Sequence, residues 1–286
     1  MAFLDPIRRR LQTIVIGSFR RFGADRCTIL AGSLAFTTLL AVVPMATIAF
    51  GLFSFLPSFR DLLGSARRMV FESFVPGIGD VVDAQLDVFI ANASSLPLIG
   101  LGALFITSAL LVWEIETSFN AIWKPDQPNS WRVRLLVIWA TITGMPVIAA
   151  LTAWTIAFMM EAGGAVLGWA GGYGGRILSL ALSWAVFFVA YTVLPARSVP
   201  RGPAAVGALV AAVLFAVAKS LFVTYVAISP LQSLIYGVLA ALPLFQIWIY
   251  ILWAIVLFGA CVAAEIESAS DASARNPAPD GTAPLR

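Results

Sequence analysis

The side chain with the most chemistry to offer is Lys219, because it stands inside an apolar run. That run covers 203–228, and Lys219 lies nine residues before its C-terminal end, about 13 Å at helical rise. An ammonium at such depth in hydrocarbon costs roughly 2.5–3.5 kcal/mol, which a lysine stem offsets only in part by reaching toward water. It therefore calls for a polar partner or a wet cavity. Gln246 stands nine residues into the next apolar run, at the matching level, and Ser183 on the preceding run is close to it. Both accept hydrogen bonds, but neither neutralises the charge. Two uses of Lys219 stay open. It either caps helix carbonyls and fixes packing, or offers a cationic seat to an anionic group such as a lipid phosphate, with Gln246 and Ser183 beside it.

A second group sits where the second apolar run ends: Trp113-Glu114-Ile115-Glu116, then Ser118-Phe119-Asn120 and Ile122-Trp123-Lys124. If a helix continues there, Glu116, Asn120 and Lys124 share one face at i, i+4 spacing. Trp113 and Trp123 suit a membrane–water boundary. Glu116, Asn120 and Trp123 are thus expected as an interfacial motif, tied to Arg132 and Arg134 at the entry of the next run. Glu114 and Glu116, two positions apart, do not face each other, so a general acid–base pair is not expected. The chain has no histidine, which excludes imidazole zinc sites and nucleophiles with a histidine base. Cys27 and Cys261 have no metal spacing and suggest no disulfide framework; they read as small apolar residues. No catalytic residue, metal or cofactor is expected. Without a Walker motif, any transport would draw on a gradient, a partner or downhill flow.

The elements that position these residues follow from composition. Of 286 residues, 60% are apolar and 12% charged, and the mean hydropathy is +0.92. Soluble domains run nearer 45–50% apolar and about 25% charged. There is too little polar surface for a water-soluble globule, which excludes a soluble enzyme and a typical DNA-binding domain. Six stretches, 29–56, 96–113, 133–160, 177–194, 203–228 and 237–264, approach the about 20 apolar residues a membrane span needs. They must be helices, since lipid offers no partner to a free backbone amide. The expected fold is all-α: a polytopic integral membrane protein with six transmembrane helices over 29–265. Thirteen Lys and Arg would lie on the side of the N-terminus and four on the other, with Lys219 inside a span. Both termini are therefore expected in the cytoplasm.

The flanking segments have their own character. In 1–28, Phe3, Ile7, Leu11, Ile14, Ser18 and Phe22 form an apolar stripe with Arg8, Arg9 and Arg20 to its sides. That pattern predicts an amphipathic interfacial helix in the head-group layer. No small-residue cleavage site follows the arginines, so a twin-arginine signal is not expected. The external loop 57–95 divides at Pro76-Gly77 into two short amphipathic helices, a cap over the bundle. The loop 163–175 is glycine-rich, and the tail 266–286 is expected to be disordered. Pro44, Pro146 and Pro243 predict kinks. Ala204, Ala208, Ala212 and Ala216, beside Gly207 and Ala211, form a small-residue packing face.

Several of these residues carry a family resemblance. They are Ala31, Leu34-Ala35-Phe36 and Pro44; Glu116, Phe119-Asn120 and Ile122-Trp123; Tyr191 and Leu194-Pro195; Gly207-Ala208, Lys219, Phe222 and Tyr225; and Tyr236-Gly237, Leu252-Trp253 and Gly259-Ala260. In this order they resemble the YihY/BrkB family of bacterial inner-membrane proteins over about 25–265, although Cys261–Glu265 departs from the family's Glu-Leu-Asn ending. The resemblance implies a six-helix inner-membrane protein linked to envelope integrity, with proposed export of lipid or lipid-linked material. Members have carried the label ribonuclease BN. Nothing here supports it: there is no histidine, no carboxylate cluster for two metals and no domain to hold RNA. The expected partners are membrane lipids, including an anionic lipid or lipid-linked substrate, and no nucleic acid. A non-transporting structural or partner-binding membrane protein is the alternative; an enzyme is not expected.

Overall fold

The computed structural model describes residues 5–54, 98–125, 173–228 and 237–275, and every regular element among them is an α-helix. In chain order these are α1 (Asp5–Ala24), α2 (Cys27–Ser54), α3 (Leu98–Trp123), α4 (Tyr173–Val193), α5 (Arg201–Ile228) and α6 (Gly237–Arg275). Five of the six apolar stretches lie on α2–α6. The third, 133–160, falls outside the described residues, as do the loop 57–95, residues 163–172, Arg132, Arg134, Pro146 and the tail past 275. Over Arg201–Val226 and Pro243–Asp271, α5 and α6 are long and apolar enough to cross a membrane. Shorter apolar stretches, Cys27–Ala41 and Ser179–Val193, lie on α2 and α4.

The hub is α6, which packs against α5, α2 and α1, while α4 leans on α5 and α2 on α3. Close approach of α5 to α6 depends on small residues. A Cβ on Gly207 would lie 2.5 Å from the Gly259 carbonyl oxygen, and Ala204, Ala208, Ala211 and Ala212 are fully buried against the same seam. Ala216 leaves that row and is exposed. Each four-residue step advances the face by about 40°, so after three steps the seam has passed to Phe215 and Phe222. Trp248 of α6 fills that end, its ring centroid 6.0 Å from Phe215 and 4.7 Å from Phe222. Tyr191, also fully buried, ties α4 to α6 by donating to the Val256 carbonyl at 2.7 Å.

Three elements add to or differ from the sequence reading. First, the C-terminal part of the stripe on α1 packs on protein. Ser18 is fully buried, and the Phe22 ring sits 5.8 Å from Phe258 of α6. Among the described side chains of α1, Val15, Ile16 and Phe19 are exposed, and the three-and-four spacing had not selected them. Second, the helix continues past the apolar stretch: α3 runs ten residues beyond Trp113, to Trp123, which gives Glu116 and Asn120 their common face. Residues 114–123 hold no glycine or proline to break it. It ends where Pro125 bars Lys124 from helical geometry. Lys124 takes a φ of 45° and donates its N–H to the Asn120 carbonyl at 2.8 Å, a left-handed cap. Third, α6 continues past 265 to Arg275, because Glu267 pairs there with Arg197 and Ser268 meets Arg21 at 3.3 Å.

Candidate functional site

Ser33 and Thr37 lie one turn apart on one face of α2, and both hydroxyls turn to the same carboxylate. Ser33 Oγ donates to Glu114 Oε1, and Thr37 Oγ1 donates to Glu114 Oε2 at 2.6 Å. Glu114 stands nine residues before the last residue of α3, about 13 Å along the helix. The carboxylate belongs to the wall of a groove of about 490 Å³ between α2 and α3. Thr37 and Leu40 of α2 line it, with Thr107, Leu110, Trp113, Glu114 and Thr117 of α3. The three apolar residues, Leu40, Leu110 and Trp113, are each about half-exposed, so the groove opens onto the surface of the protein. A carboxylate within an apolar helix is costly to desolvate, and such residues mark binding sites and ion paths in membrane proteins.

A second polar cluster gathers where α1, α3 and α6 meet. Asp25, in the tight turn before α2, has a side chain only 5% exposed and accepts from Lys124 Nζ at 2.7 Å. Arg21 lies 3.7 Å from the same carboxylate and 3.6 Å from Glu265, and its Nη2 donates to the Ile122 carbonyl at 3.1 Å. One guanidinium thus satisfies a carbonyl at the C-terminal end of α3 while joining α1 to α6. This cluster reads as a clamp, since its charges are spent on one another. Asp25→Ala is expected to lower stability by about 2 kcal/mol, because it removes the buried carboxylate that Lys124 Nζ meets at 2.7 Å and the longer ion pair with Arg21. Thermal midpoints in detergent check this; an unchanged midpoint would contradict it.

The residues singled out by sequence land in three places. Lys219 is half-buried on α5, one turn from both Phe215 and Phe222. Trp248 packs against those two rings and so shares its level. Gln246, two residues earlier, points some 160° away from Trp248 at 100° per residue. That is the side of α6 on which Trp253 Nε1 donates to Thr38 Oγ1 of α2 at 2.9 Å. Lys219 and Gln246 therefore share a depth but not a face. Gln246 Oε1 is buried with no hydrogen-bond partner among the described residues. Ser183 Oγ donates to the Ser179 carbonyl of its own helix at 2.9 Å.

Glu116 and Asn120 do share a face, and it points inward. Glu116 is 1% exposed, and Asn120 Oδ1 accepts the Ala196 N–H at 2.8 Å, pinning the link between α4 and α5. Trp123 is buried in the protein core. Its ring stacks on Phe119 at 5.9 Å and lies 6.2 Å from Tyr191. Cys27 and Cys261 meet in the core, Sγ to Sγ at 3.7 Å. Sequence reasoning passed over Glu114 and Asp25. The hydroxyl pair at i, i+4 on α2 was the available signal for Glu114.

Comparison with known proteins now settles the family. The profile of the family described as virulence factor BrkB matches residues 18–283. The chain belongs to the BrkB family. A UPF0761 membrane protein of Cronobacter sakazakii is 36% identical over 246 residues, 84% of this BrkB chain and 83% of its own length. A UPF0761 membrane protein of Pseudomonas paraeruginosa is 36% identical over 252 residues, 87% of this chain and 61% of its own. One of Rhodospirillum centenum is 35% identical over 253 residues, 86% and 55%. The chain thus spans little more than half the length of the latter two. No solved structure matches it. With relatives named as membrane proteins and apolar helices of spanning length, this BrkB chain is a membrane protein.

Proposed function

We propose that the protein is a non-enzymatic transporter of the bacterial inner membrane, with both termini in the cytoplasm. It moves lipid or another amphiphile bearing an anionic group and so contributes to envelope integrity. The observation that carries this reading is the groove between α2 and α3, with Glu114 in its lining beside apolar side chains half-exposed at the surface. An amphiphile needs both at once: polar groups for its headgroup and apolar surface for its tails. Lys219 is the residue on α5 proposed to meet the anionic group, on a wall separate from Gln246. In the alternative, a purely structural bundle, Glu114 only ties α3 to α2 through Ser33 and Thr37.

Reconstitution tests the reading. Vesicles holding the purified protein and a trace of phospholipid labelled on its acyl chain are exposed to an impermeant quencher. The expected result is loss of the inner-leaflet signal within minutes, against hours or more for protein-free vesicles. Equal protection in both would remove the transport reading.

A further inference from the structure

The groove's polar lining has a sign. Thr37 gives its only hydroxyl hydrogen to Glu114, and Thr117 gives its own to the Trp113 carbonyl at 2.9 Å. Both oxygens keep only lone pairs to offer. Glu114 accepts one hydroxyl on each oxygen, and a carboxylate has about four acceptor sites, so capacity remains. Three of the four polar lining groups, Thr37 on α2 and Glu114 and Thr117 on α3, can therefore accept hydrogen bonds and have none left to give. A phosphate, which is all acceptors, is a poor match for these three. An ammonium, which has three donors and no acceptor, is their complement. The ring of Trp113, also in the lining, is the side chain best suited to hold a cation by its face.

Size admits a headgroup. The open groove of about 490 Å³ is far larger than a single small ion needs. Leu40, one turn from Thr37 on α2, and Leu110, one turn from Glu114 on α3, also line the groove and suit methylene chains. We infer that the groove between α2 and α3 seats the ammonium headgroup of an amine-bearing amphiphile, with Glu114, Thr37 and Thr117 as acceptors and Leu40 and Leu110 along its tails. This deepens the transport reading by naming the headgroup, and it remains compatible with a phosphate on the same molecule lying away from these three groups.

Binding can be read apart from transport. The full chain, purified in mild detergent, is mixed with equal amounts of phosphatidylethanolamine, phosphatidylcholine and phosphatidylglycerol, and bound lipid is measured by native mass spectrometry. Phosphatidylethanolamine adducts should exceed those of phosphatidylglycerol by at least about tenfold, as charge-assisted hydrogen bonds imply. Phosphatidylcholine should fall between, since it has the cation but no N–H. In Glu114→Gln, an isostere, the preference should collapse toward parity. Elution volume and helical circular dichroism confirm that this variant is folded, and Thr117→Val, which removes one acceptor without touching Glu114, gives an independent smaller loss. Equal retention of the three lipids by the wild type, or an unchanged preference in Glu114→Gln, overturns the inference. So does loss of the phosphatidylethanolamine preference on adding sodium chloride but not choline chloride, which would mark a small-cation site. If the preference holds while vesicle transport fails, the headgroup seat stands and the transport reading falls; the reverse pattern does the opposite.

Discussion

Gly259→Leu yields no folded protein. A Cβ at this position collides with the Tyr191 hydroxyl, lies 2.7 Å from the Ala211 Cβ and 2.9 Å from the Gly207 carbonyl oxygen. These contacts come from α4 and α5 at once, and one of them is backbone, which no rotamer change relieves. Tyr191 cannot retreat without giving up its bond to Val256. Overpacking a tight core typically costs about 1–3 kcal/mol. Here a leucine adds four carbons at the junction of three helices, against a total stability of about 5–15 kcal/mol for ordinary domains. Size-exclusion profiles in mild detergent should show aggregate in place of the wild-type peak. Gly202→Leu is the control, because nothing lies within 4 Å of a Cβ there; it should elute as wild type. A monodisperse Gly259→Leu with an unchanged thermal midpoint would contradict the packing of α4, α5 and α6.

Glu114→Leu should do the reverse: leave the fold intact and stop lipid movement. The stability change is expected to stay below about 1 kcal/mol, because the two hydroxyls that lose their acceptor have another within reach. Ser18, Thr38 and Ser183 in this same protein bond back to carbonyls four residues earlier, and Ser33 and Thr37 have the same recourse. The groove, by contrast, loses its charge. Transport in the vesicle assay should fall by at least about tenfold, a difference of about 1.4 kcal/mol in headgroup contact. Wild-type rates in Glu114→Leu would show that the groove is not on the path.

The helices were legible because their signal is bulk solvation. Runs of apolar residues near 20 long call for helices whatever their neighbours are, and five of the six runs coincide with α2–α6. Contacts between helices were legible only where one helix face carried the whole pattern. The Ala204/Ala208/Ala212 row met that condition. Its last member, Ala216, did not, because a four-residue period drifts around a helix of 3.6 residues per turn. The stripe on α1 was visible, but its partner was not: periodicity marks an apolar face and does not say whether lipid or α6 covers it. The same limit applies to Lys219 and Gln246. Depth along a span can be counted from sequence, but azimuth across two helices cannot, and the two residues point different ways. Glu114 was weighed only against Glu116, its neighbour in sequence, because its partners on α2 are set by tertiary packing. That packing puts it beside Ser33 and Thr37, a meeting of residues some 80 positions apart that no local pattern encodes.

The central claim, that the groove between α2 and α3 takes an amine-bearing amphiphile, is most directly tested by capturing what lies in it. A photoreactive side chain at Leu110, in the full chain in its native membrane, is irradiated and the lipid adducts are identified by mass. The account predicts adducts enriched in amine-bearing lipid over its share of the membrane, with the enrichment gone when Glu114→Gln is added. Adducts that mirror the bulk lipid composition in both proteins would contradict it.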